Sequence, residues 1–545
     1  MVERAIPARD HGPARRGLGP TPGWAAAMGI AAVVLALRLP SLVEPPTFND
    51  EGTYADIGWA LDHGAVLYRD VWGHYTPGVY WLGAALNLLH SSVLVFHIAL
   101  AAAVALTAFG IWRFCGRFAS RPVAWAATLG FVILASLPTL ESDVLYVEVI
   151  GALLVVWAVI LVARPARAGA GALIVAGSLL AGAVLFKVTF AADAIAVATV
   201  PAVLAVASGR RPGRREIRAL SLVAAGALAL LGAAAVALWL GGSMPGLVDV
   251  LFHQDETYLR GVSGGGAAGS GAPSGGTASI LLLLTATRIL LVLVAGTAVT
   301  WRLARRRHPG ASIAAWWLTW DLAAVVVSDL GLAHYVQQAE PAVCICAALL
   351  VAALLRRRRL RAAALTGATT VIAWAVSVAI LVVPTAEASA VVPQPVARFV
   401  SSIVSPHEIG HQLGRGWERI LGLITPASYE ASFGAEPALV GRTAAVIDAH
   451  TRPSDRVFVW GRLPWVYALS RRLPAGRYTS LNSSFTLDPG AQRLLIGELR
   501  AHPPALLVAL EALPPQMTTL LDDLHYTTLP KQARGETWWV APGRS

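Results

Sequence analysis

Lysine is almost missing from this chain: Lys187 and Lys531 are its only two in 545 residues, and arginine supplies the rest of its 43 basic side chains. Charge of either sign is scarce, at 14% of residues, where a soluble domain carries roughly a quarter. With 56% hydrophobic residues and a mean hydropathy of +0.60, this excludes an ordinary soluble fold and implies an integral membrane protein. Only three cysteines occur, Cys115, Cys344 and Cys346, all in or beside apolar segments. That excludes a disulfide framework, and Cys-x-Cys on a helix points its thiols to different sides, against a metal site there. No Walker loop, dinucleotide glycine fingerprint or Gly-x-Ser-x-Gly elbow occurs in a strand–turn–helix context, so the chain carries no nucleotide-driven energy source of its own. The net charge of +11 and pI of about 10.0 would suggest nucleic acid in a soluble protein. Here the arginines sit in short clusters between apolar runs, where they set orientation, and nucleic acid is excluded as a partner.

What the chain does have is apolar runs near bilayer length, at about 23–43, 92–112, 122–139, 148–163, 169–186, 189–208, 219–241, 278–300, 312–330, 339–355 and 362–384. The pattern predicts a polytopic α-helical membrane protein with about eleven transmembrane helices. Loops such as "GRRPGRREIR", "RLARRRHPG" and "RRRRLR" are Arg-rich and read as cytoplasmic, and they alternate with loops that carry the acids. An N-terminus inside and an odd number of spans put the C-terminal region outside, in a multi-pass protein of the cell membrane. Residues 1–22, rich in Pro, Gly and Arg, read as a disordered cytoplasmic tail, and the run from Trp24 as a retained first span rather than a cleaved signal.

Two regions are not spans. Loop 44–91 predicts a short helix over Thr53–His63, with Tyr54, Ile57 and Leu61 on one stripe, and an interfacial helix over Pro77–His90. From residue 385 to 545 hydrophobicity falls and strand and helix signals alternate. "RVFVWG", "ALLVAL" and "ETWWVA" read as strands, "LPWVYALSRR" and "PPQMTTLLDDL" as helices, which predicts a small extracytoplasmic α/β domain.

The candidate chemistry lies at the outer face. Asp50 and Glu51 begin an acid- and ring-rich stretch, "FNDEGTYADIGWALDHGAVLYRDVWGHYTPGVYW", directly after the first span. Two solvated loop carboxylates would be the ordinary state of such residues. Between a membrane exit and an interfacial helix, a carboxylate can instead serve as general base toward a hydroxyl. Glu141, Asp143 and Glu148 emerge on the same side, either as interfacial anchors or as part of a site. Lys187 emerges on the outer face against the positive-inside trend, so it is either a snorkelling anchor or a point-charge partner for phosphate. Arg69 is a second outer cation, which an ion pair to Asp70 or Asp62 would explain without function. His74, His253 and His334 with Asp50, Glu51, Asp255 and Glu256 could compose a divalent-metal site, although these three histidines have no His-x-x-x-His spacing among them.

With these residues in view, the chain resembles the GT-C superfamily of polytopic glycosyltransferases, in the branch of protein O-mannosyltransferases and lipid A aminoarabinose transferases. The likeness rests on "DEGTY" after the first span, "HGAVLYRDVWGHYTPGVYW", "LLAGAVLFKVTF" around Lys187 and "HYVQQAEP" entering a late span, and covers residues 23–384. It implies a polyprenyl-phosphate-linked sugar as donor, a hydroxyl acceptor on a glycan, lipid or protein, and inversion at the anomeric carbon. By that resemblance Asp50 is the catalytic base, and Glu51, Tyr54, Arg69, His74, Glu148, Lys187, His334 and Tyr335 line the donor and acceptor pockets. One departure stands out: aminoarabinose transferases carry a Lys shortly before the proline matching Pro77, and this chain has Tyr75 there. The phosphate contact then falls to Arg69, His74 or Lys187. A secondary transporter or lipid flippase is the competing reading. It predicts charged or broken spans at mid-membrane and related halves, whereas here the ionisable residues gather at one face.

Overall fold

In hydrocarbon, each backbone N–H and C=O must be satisfied within its own segment, so the apolar runs fold as helices. The computed structural model describes residues 23–47, 49–163, 169–254, 275–327, 333–356, 406–481, 489–529 and 536–543. The helices are α1 (Gly23–Arg38), α2 (Asp50–Asp62), α3 (Gly78–Leu89), α4 (Val93–Phe118), α5 (Arg121–Leu134), α6 (Val147–Val162), α7 (Ala170–Phe186), α8 (Ala191–Ala198), α9 (Val200–Ala207), α10 (Arg214–Leu240) and α11 (Met244–Asp249). Further helices cover Gly275–Arg305, Pro309–Val327 and Glu340–Arg356. The expected run 362–384 lies outside the described residues.

Five segments are long and apolar enough to cross a membrane alone: Val93–Phe118, Val188–Ala207, Arg214–Leu240, Thr285–Arg305 and Pro309–Val327. The expectation of about eleven spans leans also on shorter apolar helices, and here length matters. The 14 residues of α5 rise about 21 Å, short of a hydrocarbon core of roughly 30 Å. Along the bundle α4 packs on α1, α5 and α6, α6 on α7, and α7 on α10, while Pro309–Val327 packs on Gly275–Arg305, α8, α9 and Glu340–Arg356. On α10, Leu228, Val236, Trp239 and Leu240 are exposed, an apolar surface suited to lipid.

Small residues set the closest crossings, as membrane helix packing favours. A Cβ on Gly177 of α7 would lie 1.9 Å from Val223 O of α10, and one on Gly226 1.9 Å from Ile174 O. The same device holds α2 to α3: a Cβ on Gly58 would meet Ala84 N at 2.4 Å, and one on Gly83 would meet Tyr54 O at 2.3 Å. Asn87 Nδ2 donates to Ala55 O at 2.7 Å across that crossing. Helix α2 is therefore a fixed platform, although it is only half apolar.

Residues after 405 form helices around a five-stranded sheet in the order β2-β1-β3-β5-β4. Its strands are β1 (Arg456–Trp460), β2 (Leu473–Pro474), β3 (Leu506–Ala509), β4 (Thr527–Thr528) and β5 (Thr537–Val540). β1 runs parallel to β2 and β3, with Phe458 opposite Leu507, and β5 runs antiparallel to β3 and β4. All four residues of β3 are buried, as a strand covered on both faces requires. The sheet meets the helices through α2. Trp465 is fully buried beside Gly52, where a Cβ would stand 2.4 Å from its ring, and Trp72 N donates to Arg477 O at 2.7 Å.

Candidate functional site

Asp50 owes its position to the start of α2. Asn49 caps the helix, its Oδ1 accepting Gly52 N–H at 3.2 Å, and Asp50 and Glu51 fill the first turn, where the helix dipole favours carboxylates. Asp50 Oδ2 accepts the Tyr75 hydroxyl at 2.8 Å, and Oδ1 lies 3.7 Å from Arg462 Nη2. The Asp50 side chain is 22% exposed, enough for a substrate to reach.

Three tyrosines back this carboxylate. Tyr75 N–H donates to Tyr80 Oη at 3.0 Å, and the Tyr54 ring meets Tyr75 and Tyr80 edge-on at 5.7 and 6.2 Å. His74 leans on the Tyr75 ring, centroids 4.2 Å apart. Burial, reinforced by the Asp50 charge, pushes the Tyr54 and Tyr75 phenols well above their ordinary value, so both keep their protons. The Tyr54 hydroxyl is buried and finds no hydrogen-bond partner among the described residues.

A second cluster joins α6, the end of α7 and the turn Ala333–Gln338. Lys187, where α7 stops, places Nζ 2.6 Å from Glu148 Oε1 and 3.8 Å from the centre of the Tyr335 ring. Glu148, in the first turn of α6, is fully buried, and its Oε2 has no donor among the described residues. Close by, Glu141 Oε2 lies 2.6 Å from His334 Nδ1 and accepts the Tyr146 hydroxyl at 2.9 Å, with the Tyr146 and His334 rings stacked at 4.0 Å. Burial raises the Glu141 carboxyl, but His334 and Tyr146 outweigh it and hold the group below its usual value. Thr76 Oγ1 donates to Val184 O at 3.4 Å, and a Cβ on Gly78 would lie 2.6 Å from Leu185 O, so the Tyr75 segment adjoins the end of α7 that carries Lys187 and the two clusters form one neighbourhood.

Two of the expected residues lie elsewhere. Glu51 is fully buried, accepting Leu145 N–H at 2.7 Å and standing 3.3 Å from His97 Nε2; it ties α2 to α4 and the loop before α6. Arg69 is exposed and grips Asp70 through both Nε and Nη2, at 2.9 and 2.8 Å, which is the local ion pair its neighbours in sequence allow. A divalent metal fits poorly. No group of three or more His, Cys, Asp or Glu side chains among the described residues is placed to hold one, and Asp50 faces an arginine and a phenol. Asp255, Glu256 and the His253 side chain lie outside what is described.

No protein-family model and no curated protein sequence matches the chain. Solved structures do. ArnT from Cupriavidus metallidurans bound to undecaprenyl phosphate aligns over 95% of this chain and 98% of its own, at 15% identity and a TM-score of 0.53. The same protein in the apo state aligns over 94% and 98%, at 16% identity and a TM-score of 0.51. The Archaeoglobus fulgidus oligosaccharyltransferase in its apo form covers 89% of this chain and 69% of its own, at 14% identity and a TM-score of 0.46. The chain has the GT-C fold.

Within the GT-C fold, the sequence reading brought Asp50, Tyr54, His74, Glu148, Lys187, His334 and Tyr335 to one end of the helices, and that is where they meet. It passed over Tyr75, Tyr146 and Arg462, and left Glu141 open between an anchor and a part of the site. Tyr75 was notable only as the residue in place of a lysine, yet its hydroxyl touches Asp50. Tyr146 and Glu141 sit in a loop that looks like an interfacial anchor. Arg462 lies 412 residues from Asp50, just past the carboxyl end of β1, and no local pattern connects the two. In a parallel sheet that end is where ligand-contacting loops gather.

Proposed function

We propose that this protein is a membrane glycosyltransferase that moves a sugar from a polyprenyl-phosphate donor to a hydroxyl acceptor at the extracytoplasmic face. The observation that carries the reading is the pairing of a reachable carboxylate, Asp50, with a largely buried but accessible cation, Lys187 (11% exposed), in one tyrosine-lined neighbourhood. The likeness over nearly the full chain to ArnT, which has been solved with undecaprenyl phosphate, supports the donor class. The lipid phosphate lies in the leaflet with its sugar at the water boundary, so acids and rings belong at that boundary.

In this mechanism Asp50 takes the proton of the acceptor hydroxyl, and the freed oxygen bonds to the anomeric carbon. The bond from that carbon to the phosphate oxygen breaks, and polyprenyl phosphate leaves with the electron pair. Lys187 meets the phosphate charge as it develops. Tyr75 fixes the Asp50 rotamer, and the Tyr54 hydroxyl, without a protein partner among the described residues, is free to donate to the substrate. Glu148 is engaged by Lys187 at 2.6 Å and is not placed as a second nucleophile, so a single displacement inverts the anomeric centre. The reading puts the N-terminus in the cytoplasm and residues 385–545 outside as an α/β domain.

The test is transfer from a polyprenyl-phosphate sugar in reconstituted vesicles. Asp50→Asn keeps the size and removes the base, so turnover falls by ~10²–10⁴ while the protein still inserts. Near-normal transfer by a well-folded Asn variant would remove Asp50 from the mechanism.

A further inference from the structure

Asp193, in the first turn of α8, and Asp321, in the helix Pro309–Val327, are both buried. Carboxylates inside a membrane segment are costly and are rarely kept without a use. The bonds to this pair are one-sided. Asp193 Oδ1 accepts Trp317 Nε1–H at 2.8 Å and Oδ2 accepts Gln338 Nε2–H at 2.6 Å. Neither oxygen of Asp321 receives an N–H or O–H donor among the described residues.

The bonds lead outward to the site. Gln338 turns its Oε1 to the Thr189 hydroxyl at 3.2 Å. Thr189 lies two residues after Lys187, and Gln338 three after Tyr335 in the same 3-10 turn. The path Asp193–Gln338–Thr189 therefore staples together the two turns whose Lys187 and Tyr335 meet at 3.8 Å. We infer that the buried Asp193 is a positioning residue that holds Lys187 against Tyr335 for the donor phosphate; this rests on the function proposed above. Asp193 acts through Lys187 and touches no substrate.

The direction of the bonds makes the test asymmetric. Asp321 bonds to none of these groups, so Asp321→Asn leaves Asp193 all its donors. In Asp193→Asn an NH₂ group must face Trp317 Nε1–H or Gln338 Nε2–H, donor against donor. The two substitutions are isosteric, so a role in packing alone would make them equal. Transfer in vesicles with polyprenyl-phosphate sugar should show Asp321→Asn near wild type. Asp193→Asn should raise the donor KM by about tenfold or more while leaving kcat within a few fold, the size expected for lost buried hydrogen bonds. Thr189→Val breaks the link outside the membrane core without touching the carboxyls. It should raise donor KM by about 2–10-fold, and it keeps the test decisive if Asp193→Asn does not fold. Binding of polyprenyl phosphate by native mass spectrometry gives the same ranking without turnover. Equal behaviour of the two Asn variants, or an unchanged donor KM in Thr189→Val, overturns the inference while the wild type remains active. A wild-type protein that neither transfers sugar nor binds polyprenyl phosphate overturns the proposed function instead, and the positioning role with it.

Discussion

Arg462 Nη2 stands 3.7 Å from Asp50 Oδ1, so a residue beyond the end of β1 reaches the first turn of α2. The arginine is half exposed, and a solvent-screened pair of this kind contributes little to stability, about 0–1 kcal/mol. Its value lies in holding the Asp50 carboxylate beside the acceptor. Arg462→Gln should leave the melting temperature nearly unchanged and lower kcat/KM for transfer by about tenfold, an effect of ~1.4 kcal/mol on the transition state. An unchanged kcat/KM would reduce Arg462 to a surface cation.

Tyr75 gives a second, finer handle on the same carboxylate. Tyr75→Phe removes the hydroxyl that Asp50 Oδ2 accepts at 2.8 Å and keeps the ring against Tyr54. A hydrogen bond to a charged group is worth about 1.5–3 kcal/mol, so turnover should fall roughly 10–100-fold, less than in Asp50→Asn. If Tyr75→Phe matched Asp50→Asn, the phenol would be taking part in proton transfer itself.

How much of this was legible beforehand follows from the range of each interaction. Apolar runs announce helices because backbone satisfaction in lipid is local, and the strands 456–460, 506–509 and 537–540 announce themselves by short apolar runs between turns. The grouping of Asp50, Lys187 and Tyr335 was readable through alternation of loops, since all three fall in or beside loops that lack the Arg clusters. Glu51 was misleading because residues adjacent on a helix point to different sides: next to Asp50 in sequence, it turns to His97 instead. Arg462 and the Asp193–Gln338 link were invisible because contacts across 412 and 145 residues leave no spacing to recognise.

Lys187 looked like a span-end cation whose charge could be deleted at little cost to stability. The structure changes that expectation, since its partner Glu148 is fully buried at 2.6 Å. Removing one member of a buried pair leaves the other uncompensated, at about 3–5 kcal/mol. Lys187→Met should therefore lower the melting temperature in detergent markedly, and Lys187→Met with Glu148→Gln should recover most of the loss. Neither protein should use the donor well, because the charge offered to phosphate is gone in both. A double variant that regained transfer would show that Lys187 serves Glu148 alone.

Asp56 links the platform to the sheet. Its fully buried carboxyl accepts Ala468 N–H at 2.9 Å, at the start of the helix Val466–Ser470, and the backbone N–H groups of Tyr467 and Trp465 add to the favourable field on its charge. Burial pushes this carboxyl well above the usual range although those donors oppose it. The sign follows: a raised folded-state value means the native state binds the proton more tightly than the unfolded chain does. The stability this gives is fully present below the unfolded value of about 3.9 and is lost as pH rises through the folded value. Asp56→Asn keeps an acceptor for Ala468 and cannot ionise, so its melting temperature should gain on wild type as pH rises. Asp56→Ala leaves the buried N–H groups unpaired, at about 1–3 kcal/mol, and limited proteolysis should then cut residues 406–543 faster at every pH. If wild type and Asp56→Asn kept a constant difference across the pH range, the Asp56 carboxyl would not be titrating between the folded and unfolded states.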